Sequence, residues 1–326
     1  MLNMNENEEY IDYLVRLFEN KREYGLNCDQ IAELLNRENG NDYGESTYRK
    51  FWAAFNQGRV YEKEKNLVGI ATRILAISDL HIPYQLPITT FQDYQNRTDI
   101  LVINGDVVDC HQLSKFPKQY RVNPMEEIIQ GRQYLIDLIE FIKPKKVVVT
   151  TGNHDARFSS YLCKHLDTEV LELMPDTSLE LLFVDGFHHY DKRNRTKTWY
   201  EPIQKVFNDI DIEYTGDWKT KVGKTWFAHP FAFSSGTLKT CEKAMNHFFK
   251  IDPDGFSAVV LGHTHRTAHS KNGFINLFEQ GACCDTEKMR YASGRLSDPQ
   301  KEGFLYMCQD KDGDLIEDKT KLIYLN

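Results

Sequence analysis

Long apolar runs are missing from this 326-residue sequence. No stretch approaches eighteen consecutive apolar residues, so no transmembrane helix and no membrane partner is expected. An excess of positive charge is missing too: 40 Lys and Arg stand against 48 Asp and Glu, a formal net charge of −8. A polyanion would therefore have to be met by a local basic patch or by bound metal, not by overall charge. Paired cysteines are absent. The seven present (28, 110, 163, 241, 283, 284 and 308) are odd in number, scattered and without a C-x-x-C pair, which points to reduced thiols in a cytoplasmic protein. The opening MLNMNENEEY is acidic and polar, so no secretory signal is expected. No internal repeat or low-complexity stretch is found.

What is present divides at about residue 65. In EEYIDYLVRLFEN, the residues Tyr10, Ile11, Leu14, Val15, Leu17 and Phe18 recur at helical spacing. CDQIAELLNREN fits a second helix, with Asp29 as N-cap and Ile31, Leu34 and Leu35 inward. After GNDYGES, a third helix is expected over STYRKFWAAFNQG, capped by Ser46 or Thr47 and stopped by Gly58. Three short helices with a glycine-containing connection resemble a helix-turn-helix module, with Tyr48, Arg49, Lys50 and Trp52 on its third helix. Residues 1–70 hold nine Lys/Arg against thirteen Asp/Glu, however, so this module could dock on DNA or on a protein. KEKNLVG (63–69) reads as the linker between a helical module, 1–65, and a larger domain, 66–326.

From Arg73 onward, apolar runs alternate with amphipathic ones. ILAIS (74–78), ILVIN (100–104), KVVVTT (146–151), TWFAH (225–229) and AVVLG (258–262) read as strands buried on both faces. MEEIIQGRQYLIDLIEFI (125–142) is a helix ended by Lys143-Pro144. The alternation predicts an α/β fold with helices packed on a sheet. In the tail, Asp312-Gly313 between GFLYMC and KLIYL is a hairpin signal, and the last strands should be antiparallel.

Each buried run stops in side chains that carry chemistry. The ends are Asp79-Leu80-His81, Gly105-Asp106-Val107-Val108-Asp109, Gly152-Asn153-His154-Asp155, His229, and Gly262-His263-Thr264-His265. A lone histidine at a strand end is usually structural, and Gly-Asp or Gly-Asn is an ordinary turn. Five such ends in order, on the carboxyl edge where α/β sheets gather ligands, are poorly explained that way. Carboxylates and imidazoles without thiolates suit two divalent metal ions: Mn²⁺ first, with Fe, Zn²⁺ or Mg²⁺ as alternatives.

In this order, D-x-H, G-D-x-x-D, G-N-H-D, H and G-H-x-H resemble the calcineurin-like metallophosphoesterase superfamily over about residues 73–266. The resemblance implies a four-layer sandwich of two mixed β-sheets flanked by helices. It further implies that Asp79, His81 and His265 hold one ion, that Asn153, His229 and His263 hold the other, and that Asp106 bridges. Attack would come from a hydroxide between the ions. His154 would act beside the leaving group, oriented by Asp109. Arg157, His111 and Arg266 are candidate substrate contacts, with an ion pair to Asp155 the alternative for Arg157.

The family acts on many phosphoesters, so fold alone does not choose a substrate. Where related protein phosphatases carry Arg-Gly after the second block, this chain has Cys110-His111, which argues against that activity. KRNRTK (192–197) beside His188, His189, Tyr190 and Trp199 makes a basic, aromatic patch suited to nucleic acid. The arrangement is similar to phage and bacterial phosphoesterases described as DNA-repair-exonuclease-like. A phosphodiesterase acting on nucleic acid in the cytoplasm of a bacterium or phage-infected cell is the expectation. A small phosphoester such as a cyclic nucleotide, or a protein phosphatase activity, is the alternative, a binding protein with a vestigial site is the third reading, and self-association is left open. About sixty residues follow His265, less than the capping domain of the DNA-end nucleases.

Overall fold

Aliphatic runs with no polar face need cover on both sides, and a parallel sheet between two layers supplies it. The computed structural model, which describes residues 2–5, 8–67, 69–115, 123–253, 255–289 and 299–325, places all five runs in such strands. In chain order these and their companions are β1 (Thr72–Ile77), β2 (Ile100–Asn104), β3 (Lys146–Thr150), β4 (Phe187–Asp191), β5 (Thr196–Tyr200) and β6 (Asp211–Tyr214). The remainder are β7 (Lys219–Val222), β8 (Thr225–Ala228), β9 (Ala258–Leu261), β10 (Thr267–Asn272), β11 (Ile275–Gln280), β12 (Gly303–Gln309) and β13 (Lys321–Tyr324).

One sheet has the order β13-β12-β1-β2-β3-β6 and the other β10-β11-β9-β8-β7, while β4 and β5 pair separately. β1, β2, β3 and β6 are parallel, as are β8, β9 and β11. β12, β13, β7 and β10 run antiparallel to their neighbours, so both sheets are mixed. The period of two sorts side chains between layers. Ile74 and Ala76 of β1 join Val102, Phe227, Val260 and Leu305 between the sheets. Leu75 and Ile77 pack with Leu135 and Leu138 of the Pro124–Ile142 helix in the largest apolar cluster among the described residues. On the far side, Val259 and Leu261 pack with Ala244 and Phe248 of the Lys239–Ile251 helix. The result is helix, sheet, sheet, helix.

Helix α4 is Pro124–Ile142: the Asn123 side chain caps Met125 N–H, Pro124 takes the first turn, and Lys143 ends it in the left-handed conformation. In the tail, Gly313 at φ +79° turns the chain so that Gln309 bridges Leu315. That turn lies within the β12–β13 connection and does not join the two strands directly.

Residues 1–69 form a separate unit from 70–326. Its helices are α1 (Tyr10–Glu19), α2 (Cys28–Asn39) and α3 (Glu45–Leu67). Four details differ from expectation, the first being that α3 starts at Glu45, so Ser46 and Thr47 lie inside its first turn. Asn27, one residue before the helix, caps α2 in a reciprocal pair with Gln30, which leaves Asp29 inside the first turn. Ile11 is exposed while Tyr13 is fully buried. Helix α3 continues through Gly58 to Leu67, so most of the expected linker is helical; Val68 lies outside the described residues. The segment after Gly58 is rich in Glu and Lys, which propagate helix once it is nucleated. Tyr48 is a core residue, and Trp52 stacks on Phe18 and Phe55, so aromatics that could have met a partner build the small core instead. Arg49 and Lys50 stay exposed.

Candidate metal centre

The parallel strands bring their carboxyl ends to one edge, and the backbone there turns sharply. Asp79, His81, Asp106, His263 and His265 all have positive φ, between 44° and 74°. Non-glycine residues adopt this region at a cost, and such strain collects at functional sites. Gly105, at φ +77°, lets β2 pass under His229: a Cβ there would lie 2.6 Å from the imidazole Cγ. A Cβ on Gly152 would strike the carboxylate and backbone nitrogen of Asp106. The glycine of each block therefore makes room for the acid or imidazole of another.

Six of the seven residues that the resemblance names as ion ligands fall into two groups here, and the seventh, Asn153, directly precedes His154, whose N–H meets Asp106. Asp79, His81 and His265 form one group able to hold a metal ion, and Asp106, His229 and His263 form a second. In the first group, His265 Nε2 lies 3.0 Å from Asp79 Oδ1 and 3.0 Å from His81 Nε2. Asp106 stands between the groups, its Oδ2 lying 3.1 Å from His229 Nε2 and 3.8 Å from His81 Nε2. Its Oδ1 accepts the His154 backbone N–H at 2.7 Å, which aims the other oxygen inward.

The donors fit divalent ions on three counts. Asn153 Oδ1 and His263 Nε2 are buried without a hydrogen-bond partner among the described residues, and His229 Nε2 faces the Asp106 carboxylate without an aligned hydrogen bond. Such groups are costly unless something coordinates them. The outer nitrogens of two imidazoles face acceptors, His229 Nδ1 the Asn104 carbonyl at 2.7 Å and His81 Nδ1 the Asp109 carboxylate at 3.2 Å. Fixing Nδ1 in this way turns Nε2 toward the centre. Finally, oxygen and imidazole donors without thiolates match hard or borderline cations.

The electrostatics say the same. Burial works against charge on Asp79 and Asp106, yet His265 and His229 hold Asp79, and His229 and His154 hold Asp106, well below the usual carboxylate range. Burial likewise opposes protonation of His81, but Asp109 and Asp79 lift it to about 10. His229 reaches about 9 against burial, through Asp106 and Asp79. His263, desolvated and beside His229, falls to about 4. Without cations, protons on imidazoles offset the buried carboxylates.

Beside this cluster, His154 Nδ1 meets Asp109 Oδ1 at 2.8 Å, and burial lowers its proton affinity against the opposing charge of Asp106. Asp109 also approaches His81 and His111, at 3.2 and 3.5 Å, and stays low despite burial because of His111, His154 and His81. Arg157, on α5 (Arg157–His165), does not pair with Asp155. Its guanidinium donates to the Asp109 carbonyl at 2.7 Å and reaches His154 Nε2 at 2.8 Å. Arg266 is buried and donates to the Ser234 and Ser235 carbonyls.

Two residues passed over in the sequence organise the site. Asp155 is fully buried and accepts the N–H groups of Asp106, Val107, Val108 and Gly152. Asn104 donates to the Ala228 carbonyl and accepts from Thr150 Oγ1, tying β2 to β8 and β3. A polar residue closing an otherwise apolar strand was the available signal for Asn104.

A model of the calcineurin-like phosphoesterase family matches residues 72–267, and the chain belongs to that family. Residues 1–67 match the YonJ N-terminal domain. Over 59 residues the chain is 39% identical to the SPbeta prophage-derived uncharacterized protein YonJ of Bacillus subtilis (strain 168). That match covers 18% of this chain and 15% of YonJ, so the chain spans only a small part of the relative's length. Solved structures to which the chain is similar include vacuolar protein sorting 29 from Cryptosporidium parvum (15% identity, 74% of this chain and 86% of that chain, TM-score 0.35). A novel archaeal phosphodiesterase shares 14% identity over 78% of this chain and 99% of that chain, with TM-score 0.35. Zn²⁺-complexed Vps29 from Entamoeba histolytica shares 12% over 76% and 96%, with TM-score 0.36. No helix among the described residues is long and apolar enough to cross a membrane.

Proposed function

We propose that this phosphoesterase cleaves phosphodiester bonds in nucleic acid. The observation that carries the reading is the convergence of His154 and Arg157 on one edge of the two ligand groups. His154 Nε2 lies 3.9 Å from Asp106 Oδ2, the carboxylate oxygen shared between those groups. Asp79, His81 and His265 would hold one ion, Asn153, His229 and His263 the other, with Asp106 between them. When bound, divalent cations neutralise phosphate oxygens and supply a nucleophile near neutral pH.

The chain's own residues do the rest. Arg157 presents a planar fork to a non-bridging phosphate oxygen. Once Arg157 turns its guanidinium from His154 Nε2 to the phosphate, that nitrogen is free to carry a proton for the departing oxygen, and Asp109 favours the imidazolium by taking Nδ1–H. A diester needs this help because its leaving alkoxide is a poor one. The β4–β5 hairpin, with residues 192–197 exposed beside half-exposed Tyr190 and Trp199, supports a nucleic-acid backbone as substrate. In the same reading, residues 1–65 help hold that substrate, in the cytoplasm of a bacterium or phage-infected cell.

With Mn²⁺, turnover of bis-p-nitrophenyl phosphate should exceed that of p-nitrophenyl phosphate. A single-stranded oligonucleotide should be cleaved faster than a cyclic dinucleotide, and deletion of residues 1–65 should weaken only the former. His154→Ala should slow the oligonucleotide by about 10²–10⁴-fold while sparing p-nitrophenyl esters. Preference for the monoester or the cyclic dinucleotide would overturn the substrate assignment, and equal losses on both ester types would overturn the role of His154.

A further inference from the structure

Beyond the ligand groups, the loop after His229 reads HPFAFSSG, and two of its residues expose large rings: Phe231 is 58% and Phe233 63% accessible. Exposed rings beside a buried catalytic cluster raise the question of what covers them. The Phe233 ring lies 5.5 Å from that of His263, edge to face, so it adjoins one of the ligands directly. Next to it is a cleft of about 230 Å³ lined by Trp218, Pro230, Phe233, Ser234, Lys243 and His247 among others. The cleft is joined to the centre through the backbone as well: the Trp218 carbonyl accepts the His229 N–H at 2.7 Å.

This loop is built to hold its shape. Arg266, which follows the ligand His265, is buried and donates to the carbonyls of Ser234 and Ser235 at 3.1 and 2.7 Å. The Ser234 N–H is taken by Thr240 Oγ1 at 3.0 Å, at the start of the Lys239–Ile251 helix. Trp218 is fixed from behind, stacked against Phe248 at 6.0 Å. Rigid aromatic walls lose little conformational entropy on binding a flat ring. Lys243, exposed on the same helix, adds a cation at the cleft.

We propose that this cleft is a nucleobase subsite, in which the base adjoining the scissile phosphate stacks on Phe233 against the Trp218 wall. The proposal rests on the phosphodiesterase reading above and names the part of the substrate that reading leaves unplaced. A planar aromatic ring suits the occupant, because the accessible surface is itself a ring and the phosphate is already placed at the adjoining ligands. Arg266 is a positioning residue here: it holds the loop and stays out of reach of the base.

The test is calorimetric binding of adenosine 5′-monophosphate and of ribose 5-phosphate to the full chain in the presence of Mn²⁺. The wild type should bind the nucleotide roughly ten-fold more tightly than the sugar phosphate. Phe233→Ala should remove that preference, and Phe233→Tyr should keep it, at unchanged metal content. Equal affinities in the wild type, or equal loss in Phe233→Ala and Phe233→Tyr, would overturn the proposal. The two readings fail separately. A chain that cleaves diesters but ignores the base defeats only the subsite, whereas one that prefers the nucleotide yet cleaves no diester defeats only the assigned reaction.

Discussion

The carboxylate of Asp155 gathers four backbone N–H groups, from Gly152, Asp106, Val107 and Val108, at 2.8–3.2 Å. It thereby shapes the turn that presents Asp106. Each buried N–H left without an acceptor costs about 1–3 kcal/mol. Asp155→Ala should therefore destabilise the metal-free chain by about 4 kcal/mol or more, and Asp155→Asn, which keeps one acceptor oxygen, by less. Urea unfolding measures both, and an unshifted midpoint for the alanine variant would remove the role.

Glu127 offers a second test at this scale. It is buried on α4, where burial and the nearby Asp109 push its carboxyl up to about 7 against the opposing pull of His111 and Arg157. In the folded chain it therefore keeps a proton that the unfolded chain has already released. Stability should fall as pH rises from about 4.5 to about 7, by at most about 1.4 kcal/mol for each unit. Glu127→Gln should flatten that slope in unfolding curves taken across the window. An identical slope in the variant would show that other groups set it.

Among the elements, the five buried strands and α4 were legible because uninterrupted aliphatic runs and a 3.6-residue period admit few other structures. The acids and imidazoles past the strand ends stood out for a related reason, while their division between two ions came from the family resemblance alone. A strand cannot carry Asp-x-His or Gly-His-x-His in its buried interior, so those residues had to lie past its end. What stayed hidden depends on contacts between distant segments. Nothing local to Arg157 says that its guanidinium meets His154 and the Asp109 carbonyl in preference to Asp155, two residues away. The aromatic cleft joins Trp218, Phe233 and Lys243 from three segments, and no spacing records that. The end of α3 was misread because glycine is a good terminator only when the chain turns there. Gly58 lies within the helix, exposed, with open space where a Cβ would be. Gly58→Ala should thus stabilise α3 by about 1 kcal/mol. Slower hydrogen exchange of the α3 amides in the full chain would register it, and unchanged or faster exchange would count against a continuous helix.

For the molecule as a whole, the distribution of ligands predicts an uneven response to metal. All seven candidate ligands, from Asp79 to His265, lie in the unit spanning residues 70–326, and none lies in residues 1–69. In that larger unit Asp79, Asp106 and Asp109 are almost wholly buried. Their charge must be balanced either by protons on imidazoles or by cations. Because an ion recognises the assembled groups and not the unfolded chain, its binding adds to stability by mass action. At free Mn²⁺ one hundred-fold above its dissociation constant the gain is about 2.7 kcal/mol for each site. For a unit of this size that corresponds to roughly 5–10 °C in the midpoint. Calorimetry of the full chain should show two transitions. Chelation should lower the one belonging to residues 70–326 and leave the helical unit where it was. Asp106→Asn, which removes charge shared by both groups, should lose most of the shift, and mass spectrometry of the metal content should fall with it. A shift of equal size in both transitions, or one that survives Asp106→Asn, would mean that the ions bind elsewhere and that the converging strand ends are not their site.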